Sequence, residues 1–258
     1  MSSPITTLSF VSDDYGEAEQ TDRRIENLAQ HGLVKNITVV GSKLLKVTGF
    51  HESPTNLGLT WGAHLFLTGY PLLSSNLCSF ARSRGGTLDK RTLLSGLLRG
   101  VIRIGDIAAE FEAQLQVLMR HGFVVRFLDT HQNIHMLPPV YWALRRVATA
   151  HGLAGRIRPT VQIRFSLKQN ARTVLSMVSG VTTQSDKYSR VLVGCPGYKC
   201  DVIDLEAVRI EWATFLAQLR LRNYSEIVVP VHPGLSPAEM AIYSDPELLE
   251  LLSCWGTA

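Results

Sequence analysis

Leu8-Ser9-Phe10-Val11-Ser12-Asp13-Asp14-Tyr15-Gly16 opens with the first apolar run of the chain and closes on two adjacent carboxylates. A short apolar run bounded by turn residues reads as a buried strand, here Leu8–Val11. Carboxylates directly after a strand must be solvated, paired or bound to a cation, because an unpaired buried charge is strongly disfavoured. Their mutual repulsion also drives their proton affinities apart, which suits one to hold a metal and the other to handle protons. A solvated turn explains the same residues, since Asp and Gly are ordinary turn formers. The choice rests on what the rest of the chain brings to the end of that strand.

Outward from this stretch, apolar runs alternate with segments of helical period. Asp22–His31 reads as a helix stopped by His31-Gly32, and Ile37–Val40 as a β-branched strand. Leu59–Leu67 contains a third strand. Leu93–Leu98 and Ile104–His121 follow as helices, then Val124–Leu128 as a strand and Pro139–Ala150 as a helix with proline near its start. Val161–Phe165, Arg190–Val193 and Ile227–Val231 read as strands, Leu205–Leu221 as a long helix and Pro246–Leu252 as a short one. This alternation argues for an α/β protein with mostly parallel strands, either an open doubly wound sheet or a (β/α) barrel. The expectation is one (β/α) barrel-like domain over residues 1–258, distorted or incomplete, with the polar stretch 169–189 as a lid or insertion.

Composition narrows the class. The 258 residues are 45% hydrophobic and 19% charged, as in a globular protein with a substantial core. No apolar run reaches transmembrane length, and Met1-Ser2-Ser3-Pro4-Ile5 lacks the charged start of a signal peptide, so a cytoplasmic location and no membrane partner are expected. The net charge of +4 comes without a basic stripe or stacking aromatics, which argues against a nucleic-acid partner. Cys78, Cys195, Cys200 and Cys254 are scattered and form neither a disulfide framework nor a structural zinc pattern.

Reactive groups in parallel α/β folds gather at the C-terminal ends of strands. Four strand ends here carry them: Asp13-Asp14, His64, Asp129 with His131 and His135, and His232 before Pro233-Gly234. A carboxylate with two or three imidazoles is a common divalent-cation set. Each histidine also has a bland explanation: His64 as a core residue, His135 as a loop brace, His232 as a turn cap. The coincidence of four strand ends favours the joint site. His31, His51, His121 and His151 lack that context and read as surface or helix-end residues.

These segments together resemble the YdjC-like family of carbohydrate deacetylases, of the ChbG and HpnK type. The resemblance rests on Asp13-Asp14-Tyr15-Gly16, on Gly62-Ala63-His64-Leu65 through Pro71-Leu72, and on Glu110, Ala113 and Gln114. It continues through Asp129-Thr130-His131-Gln132-Asn133-Ile134-His135, Arg158-Pro159 and Glu226 through Gly234, in family order over roughly residues 7 to 252. Asn133 stands where the family usually has a histidine.

The resemblance implies removal of an N-acetyl group from an amino sugar or small, chitooligosaccharide-like oligosaccharide. It implies Asp14, His64 and His131 as ligands of one divalent ion, Mg²⁺ or Zn²⁺ foremost, with Mn²⁺, Co²⁺ or Ni²⁺ also compatible. Asp13 would be the general base and His232 the general acid. Asp129, His135, Arg158 and Tyr70 would position ligands or substrate. It also admits a homodimer. Two alternatives stand beside it: a deacylase of a lipid-linked or antibiotic sugar, which Phe66, Tyr70 and Trp142 would allow, and a non-catalytic sugar-binding homologue.

Overall fold

The computed structural model describes residues 7–41, 58–82, 86–158, 190–192, 213, 226–232, 244–247 and 250. Its strands are β1 (Thr7–Tyr15), β2 (Val34–Val39), β3 (Thr60–Leu65), β4 (Val125–Thr130), β5 (Arg190–Leu192) and β6 (Glu226–Val231). The helices are α1 (Glu19–Gln30), α2 (Ser75–Arg82), α3 (Lys90–Leu98), α4 (Ile104–Arg120) and α5 (Pro138–Ala150). Every strand pairing is parallel, in the order β4-β3-β2-β1-β6-β5. Beyond β4, Ile157 makes a further parallel bridge to Leu128. Neighbours therefore follow chain order cyclically, as in a (β/α) barrel, and the protein is α/β with a parallel sheet. The stretch 169–189, the strand Val161–Phe165, and nearly all of the helices read over Leu205–Leu221 and Pro246–Leu252 lie outside the described residues.

Apolar side chains of β1 to β4 meet the buried faces of the helices. Ile25 and Leu28 of α1, Phe111 and Leu115 of α4, and Val140 and Leu144 of α5 join one core with Ile37, Leu65 and Leu128. Three helices stop at a His-Gly pair. Gly32, Gly122 and Gly152 all have positive φ (73°, 83° and 68°), a backbone that glycine adopts without strain. The next residue then donates its N–H back into the last turn, as Leu33 does to Leu28 O (3.1 Å) and Leu153 to Ala148 O (2.7 Å). This explains three of the four histidines set aside from the site: His31 and His121 bond carbonyls of their own helices, and His151 meets Glu112.

Several bounds differ from the sequence expectation. β1 runs on to Tyr15, so Asp13 and Asp14 belong to the strand and do not follow it. β4 likewise includes Asp129 and Thr130. Partners for the buried polar side chains allow the ladder to continue past the apolar run. α2 was not expected at all; it buries only Leu77 and Ala81. Gly62 of β3 lies in register with Phe127 of β4, and a Cβ there would run into the Phe127 ring. Glycine at this position lets the two strands pair with an aromatic ring packed over the backbone.

Candidate active site

Adjacent residues on a regular strand point to opposite faces. Asp13 and Asp14 nevertheless line the same cavity, which has a volume of about 440 Å³. Two features account for this. Ser12 to Tyr15 of β1 spans only Ile37 to Val39 of β2, so β1 carries one extra residue there. Asp14 also adopts φ +67°, in the left-handed region that non-glycine residues enter at a cost. The turn is then fixed by Glu17 N–H to Asp14 O (3.1 Å) and Gly16 N–H to Asp22 Oδ1 (2.7 Å).

The other strand ends converge on this point. His64 of β3 is in register with Asp129 of β4. Its Nδ1 lies 3.3 Å from Asp129 Oδ2, and its Nε2 3.4 Å from Asp14 Oδ1. His131, the first residue after β4, puts Nδ1 3.5 Å from the same Asp14 oxygen. Ligand atoms of Asp14, His64 and His131 all lie within 4.8 Å of one another. The two imidazoles stand nearly perpendicular (88°), and Tyr70 packs edge-on against His131. His232, directly after β6, brings Nε2 to 3.6 Å from Asp13 Oδ2.

Arg158, the residue after the Ile157 bridge, anchors the cluster. It donates Nη1–H to Asp13 Oδ1 (2.8 Å) and Nη2–H to Asp13 Oδ2 (2.7 Å), and it also meets Asp129 Oδ2. Thr38 of β2 donates its hydroxyl to Asp13 Oδ1 at 2.8 Å. Burial by itself would raise the Asp13 pKa. Arg158, with His64 and His232, more than reverses this and holds the carboxyl well below the usual range. Asp14 is also lowered against the pull of burial, by His131 and His64. Burial lowers the His64 pKa, but the Asp129 bond and the nearby carboxylates outweigh it and lift the imidazole to about 9.

A divalent cation fits this donor set. Asp14 Oδ1 is shielded from solvent and has no hydrogen-bond partner, yet two imidazole nitrogens face it. An orphaned buried acceptor of this kind is costly unless a cation meets it. Asp13, His64 and Asp129 also approach one another closely enough for a metal. The guanidinium of Arg158 already bridges their two carboxylates, which leaves Asp14, His64 and His131 as the better cradle.

His135 is buried away from the cavity. Its Nδ1 is 2.5 Å from the Thr130 hydroxyl, and that hydroxyl accepts the His135 backbone N–H at 3.1 Å. Burial pushes its pKa down to about 4, so it is a neutral brace for the turn after β4. That turn is 3₁₀ with a kink, where Gln132 (φ 57°) and Asn133 (φ 54°) are left-handed. Asparagine tolerates this backbone better than most residues. Tyr70 lines the cavity, whereas Phe66 is fully buried behind it and half-exposed Trp142 is not part of the lining.

Sequence reasoning missed Thr38, Glu17 and Gln132, and it gave Glu110 and Gln114 no task. Both of the latter are fully buried on α4. Glu110 accepts the backbone N–H groups of Leu73 (3.0 Å) and Ser74 (2.7 Å). Gln114 accepts Phe66 N–H (3.0 Å) and donates to Phe66 O (2.8 Å) and Glu110 (2.7 Å). Together they clamp both ends of the segment that carries Gly69 and Tyr70. Two polar residues at i, i+4 on an otherwise apolar helix face were the available signal.

A family model described as YdjC-like protein matches residues 7–253. "Carbohydrate deacetylase 1" of Listeria innocua serovar 6a is 28% identical over 148 residues, 57% of this chain and 59% of that protein. "Carbohydrate deacetylase" of Clostridium beijerinckii is 23% identical over 195 residues, 76% of this chain and 77% of that one. The match to the Listeria protein thus spans less than two thirds of its length. A crystal structure from Enterococcus faecalis V583, of a protein named for cellobiose-phosphate cleavage, shares the fold. Its TM-score is 0.65 at 14% identity, covering 97% of this chain and 95% of that one.

Proposed function

The chain belongs to the YdjC-like protein family, and from that premise we propose that it is a metal-dependent hydrolase that removes an N-acetyl group from an amino sugar or short oligosaccharide. The observation that carries this is the meeting of Asp14, His64 and His131 around one orphaned oxygen, with Asp13 and His232 on the same cavity. The relatives' names supply the substrate class.

In this reading Asp14, His64 and His131 hold one divalent ion, Mg²⁺ or Zn²⁺ foremost. When bound, the ion supplies Lewis acidity to the acetamide carbonyl and acidifies a water. Asp129 steadies the His64 ring through Nδ1. Asp13 takes the water's proton as general base. Arg158 and Thr38 fix the plane of its carboxylate and keep it ionised. A carboxylate this acidic is a weak base, so it needs an acidified water as its partner. The base role and the cation requirement therefore stand together. His232 donates the proton that lets the amine leave, a task that imidazole performs well. Tyr70, whose hydroxyl pKa is raised by burial and by the charges of Asp14 and Glu17, stays a protonated donor on the cavity wall.

The reading takes residues 1–258 as a single domain, supported by the 7–253 family match. Among the described residues no helix is long and apolar enough to cross a membrane. A cytoplasmic location and a homodimer belong to the proposal, to be checked by fractionation and light scattering. The activity test is acetate release from N-acetylglucosamine and its oligomers by metal-loaded protein. No acetate from any N-acetylated sugar would sink the substrate class.

A further inference from the structure

The segment Lys90-Arg91-Thr92-Leu93-Leu94-Ser95-Gly96-Leu97-Leu98-Arg99-Gly100-Val101-Ile102-Arg103-Ile104 carries four cations and no carboxylate. It forms α3, the turn after it and the first residue of α4. Asp89 and Asp106 border it, and each is engaged at a helix start. Asp89 accepts Thr92 N–H at 2.6 Å, and Asp106 Oδ2 accepts Arg103 N–H at 3.0 Å.

The apolar residues of this segment divide between core and solvent. Leu93 and Ile102 are buried. Gly96 O accepts both Val101 N–H (2.9 Å) and Ile102 N–H (3.0 Å), and a Cβ on Gly96 would run into the Ile102 side chain. The turn is thereby held with Ile102 inside and Val101 outside. Leu94 (44% exposed), Leu98 (79%), Val101 (54%) and Ile104 (37%) remain in solvent. Residues four apart stack on one helix face. Lys90, Leu94 and Leu98 therefore make one exposed row of α3, and Arg91, Ser95 and Arg99 make the next. Single exposed leucines are ordinary, but an aliphatic group rimmed by one sign of charge marks an interaction surface.

The charge selects the occupant. A second copy of this face would set cations against cations, which disfavours self-association through it. Nucleic acid matches the charge, but the face offers aliphatic side chains and no aromatic ring for base stacking. An anionic bilayer meets both features: its headgroups pair with the arginines, and its acyl boundary takes the leucines. Arginine stems add apolar contact while their guanidinium groups stay at the headgroups.

The face also lies at the cavity end of the sheet. Glu110 on α4 accepts the N–H groups of Leu73 and Ser74, just after Tyr70 on the cavity wall, and Asn76 donates to Asp106 Oδ1 at 2.9 Å. Lys90 lines a cleft together with Gly69 and Gln132, both of which also line the cavity at Asp14.

We propose that the exposed face of α3 and the turn into α4 is a docking surface for an anionic lipid bilayer, with Leu98 and Val101 inserted and Arg91, Arg99 and Arg103 on the headgroups. Docking of this kind holds the cavity mouth beside the bilayer. It needs no spanning helix, and it departs from the expectation of no membrane partner. The proposal does not rest on the deacetylase reading, and acetate release plays no part in its test.

The test is co-sedimentation of the full chain with phosphatidylcholine vesicles, with and without phosphatidylserine. The wild type should bind only the phosphatidylserine vesicles, and added salt should weaken the binding. Arg91→Ala/Arg99→Ala should weaken it about five-fold per arginine. Leu98→Ser/Val101→Ser should weaken it about ten-fold or more, with an unchanged thermal midpoint because both residues are exposed. No binding of the wild type to phosphatidylserine vesicles overturns the proposal. Binding that survives Leu98→Ser/Val101→Ser undiminished also overturns it, since it reduces the face to charge adhesion. Retention on polyglutamate without vesicle binding overturns it in favour of an acidic protein. A dimer in light scattering that Leu98→Ser/Val101→Ser dissociates overturns it in favour of a second copy.

Discussion

Arg158 grips both oxygens of Asp13, at 2.8 and 2.7 Å, although 145 residues separate them in the chain. A buried bidentate pair of this kind fixes orientation as well as charge. It makes Asp13 a poor metal ligand, since both oxygens are engaged, and leaves Asp14 as the carboxylate that faces the imidazoles.

The division of labour between the two aspartates can be tested directly. Asp13→Asn keeps the shape and should retain the metal while kcat falls by about 10²–10⁴-fold, the usual size of a general-base contribution. Elemental analysis beside an acetate assay reads both quantities. Retained turnover would refute the base role.

Asp14→Ala should lose metal and activity together, because the carboxylate oxygen between His64 and His131 disappears. His131→Ala should do the same. Metal titration by calorimetry checks this, and full metal occupancy in either variant would count against the cradle.

Glu110→Ala removes a buried acceptor shared by Leu73 N–H, Ser74 N–H and Gln114. Urea denaturation should show a loss of about 3 kcal/mol, since buried donors left without partners carry their full desolvation cost. KM should rise as the Tyr70 segment loosens, and Glu110→Gln should recover part of both. An unchanged KM with lowered stability would restrict the residue to a folding role.

His135 gives the fold an acid dependence. Its folded pKa of about 4 lies below the ordinary 6.5, so the unfolded chain binds the extra proton first. Stability is therefore full above about pH 6.5 and declines as pH falls toward 4, by roughly 3 kcal/mol from this group. His135→Asn, which can still accept from Thr130, should flatten that part of the pH profile of the urea midpoint. An unaltered slope would mean that other groups dominate it.

Gly62→Ala should be destabilising by about 1–3 kcal/mol, the usual penalty for overpacking, because the new methyl meets the Phe127 ring. Thermal unfolding of Gly62→Ala against Gly62→Ala/Phe127→Leu checks this, with partial recovery expected in the double variant.

Much of the scaffold was readable because its signals are local. Apolar runs marked β2, β3, β4 and β6, and His31-Gly32 marked a helix end. The parts that escaped are long-range. Nothing in the spacing of residues 13, 38 and 158 says that a guanidinium and a hydroxyl will meet Asp13, and without those partners β1 seemed to end at Val11. α2 was overlooked because Leu77 and Ala81 are too sparse a pattern to register as an amphipathic helix. The strand-end rule brought Asp14, His64, His131 and His232 together, but it could not distinguish His135, which braces from behind, from a residue that faces the cavity.

Position 14 also shapes what variation the protein can absorb. The backbone there, at φ +67°, admits glycine freely and tolerates asparagine and aspartate. The imidazoles opposite demand an oxygen donor with negative charge. These two filters overlap on a single residue type. A saturation library at this codon should therefore return aspartate alone among active clones, with asparagine as the folded, inactive near miss. Glutamate, the chemically closest exchange, should fail because of its backbone rather than its carboxylate.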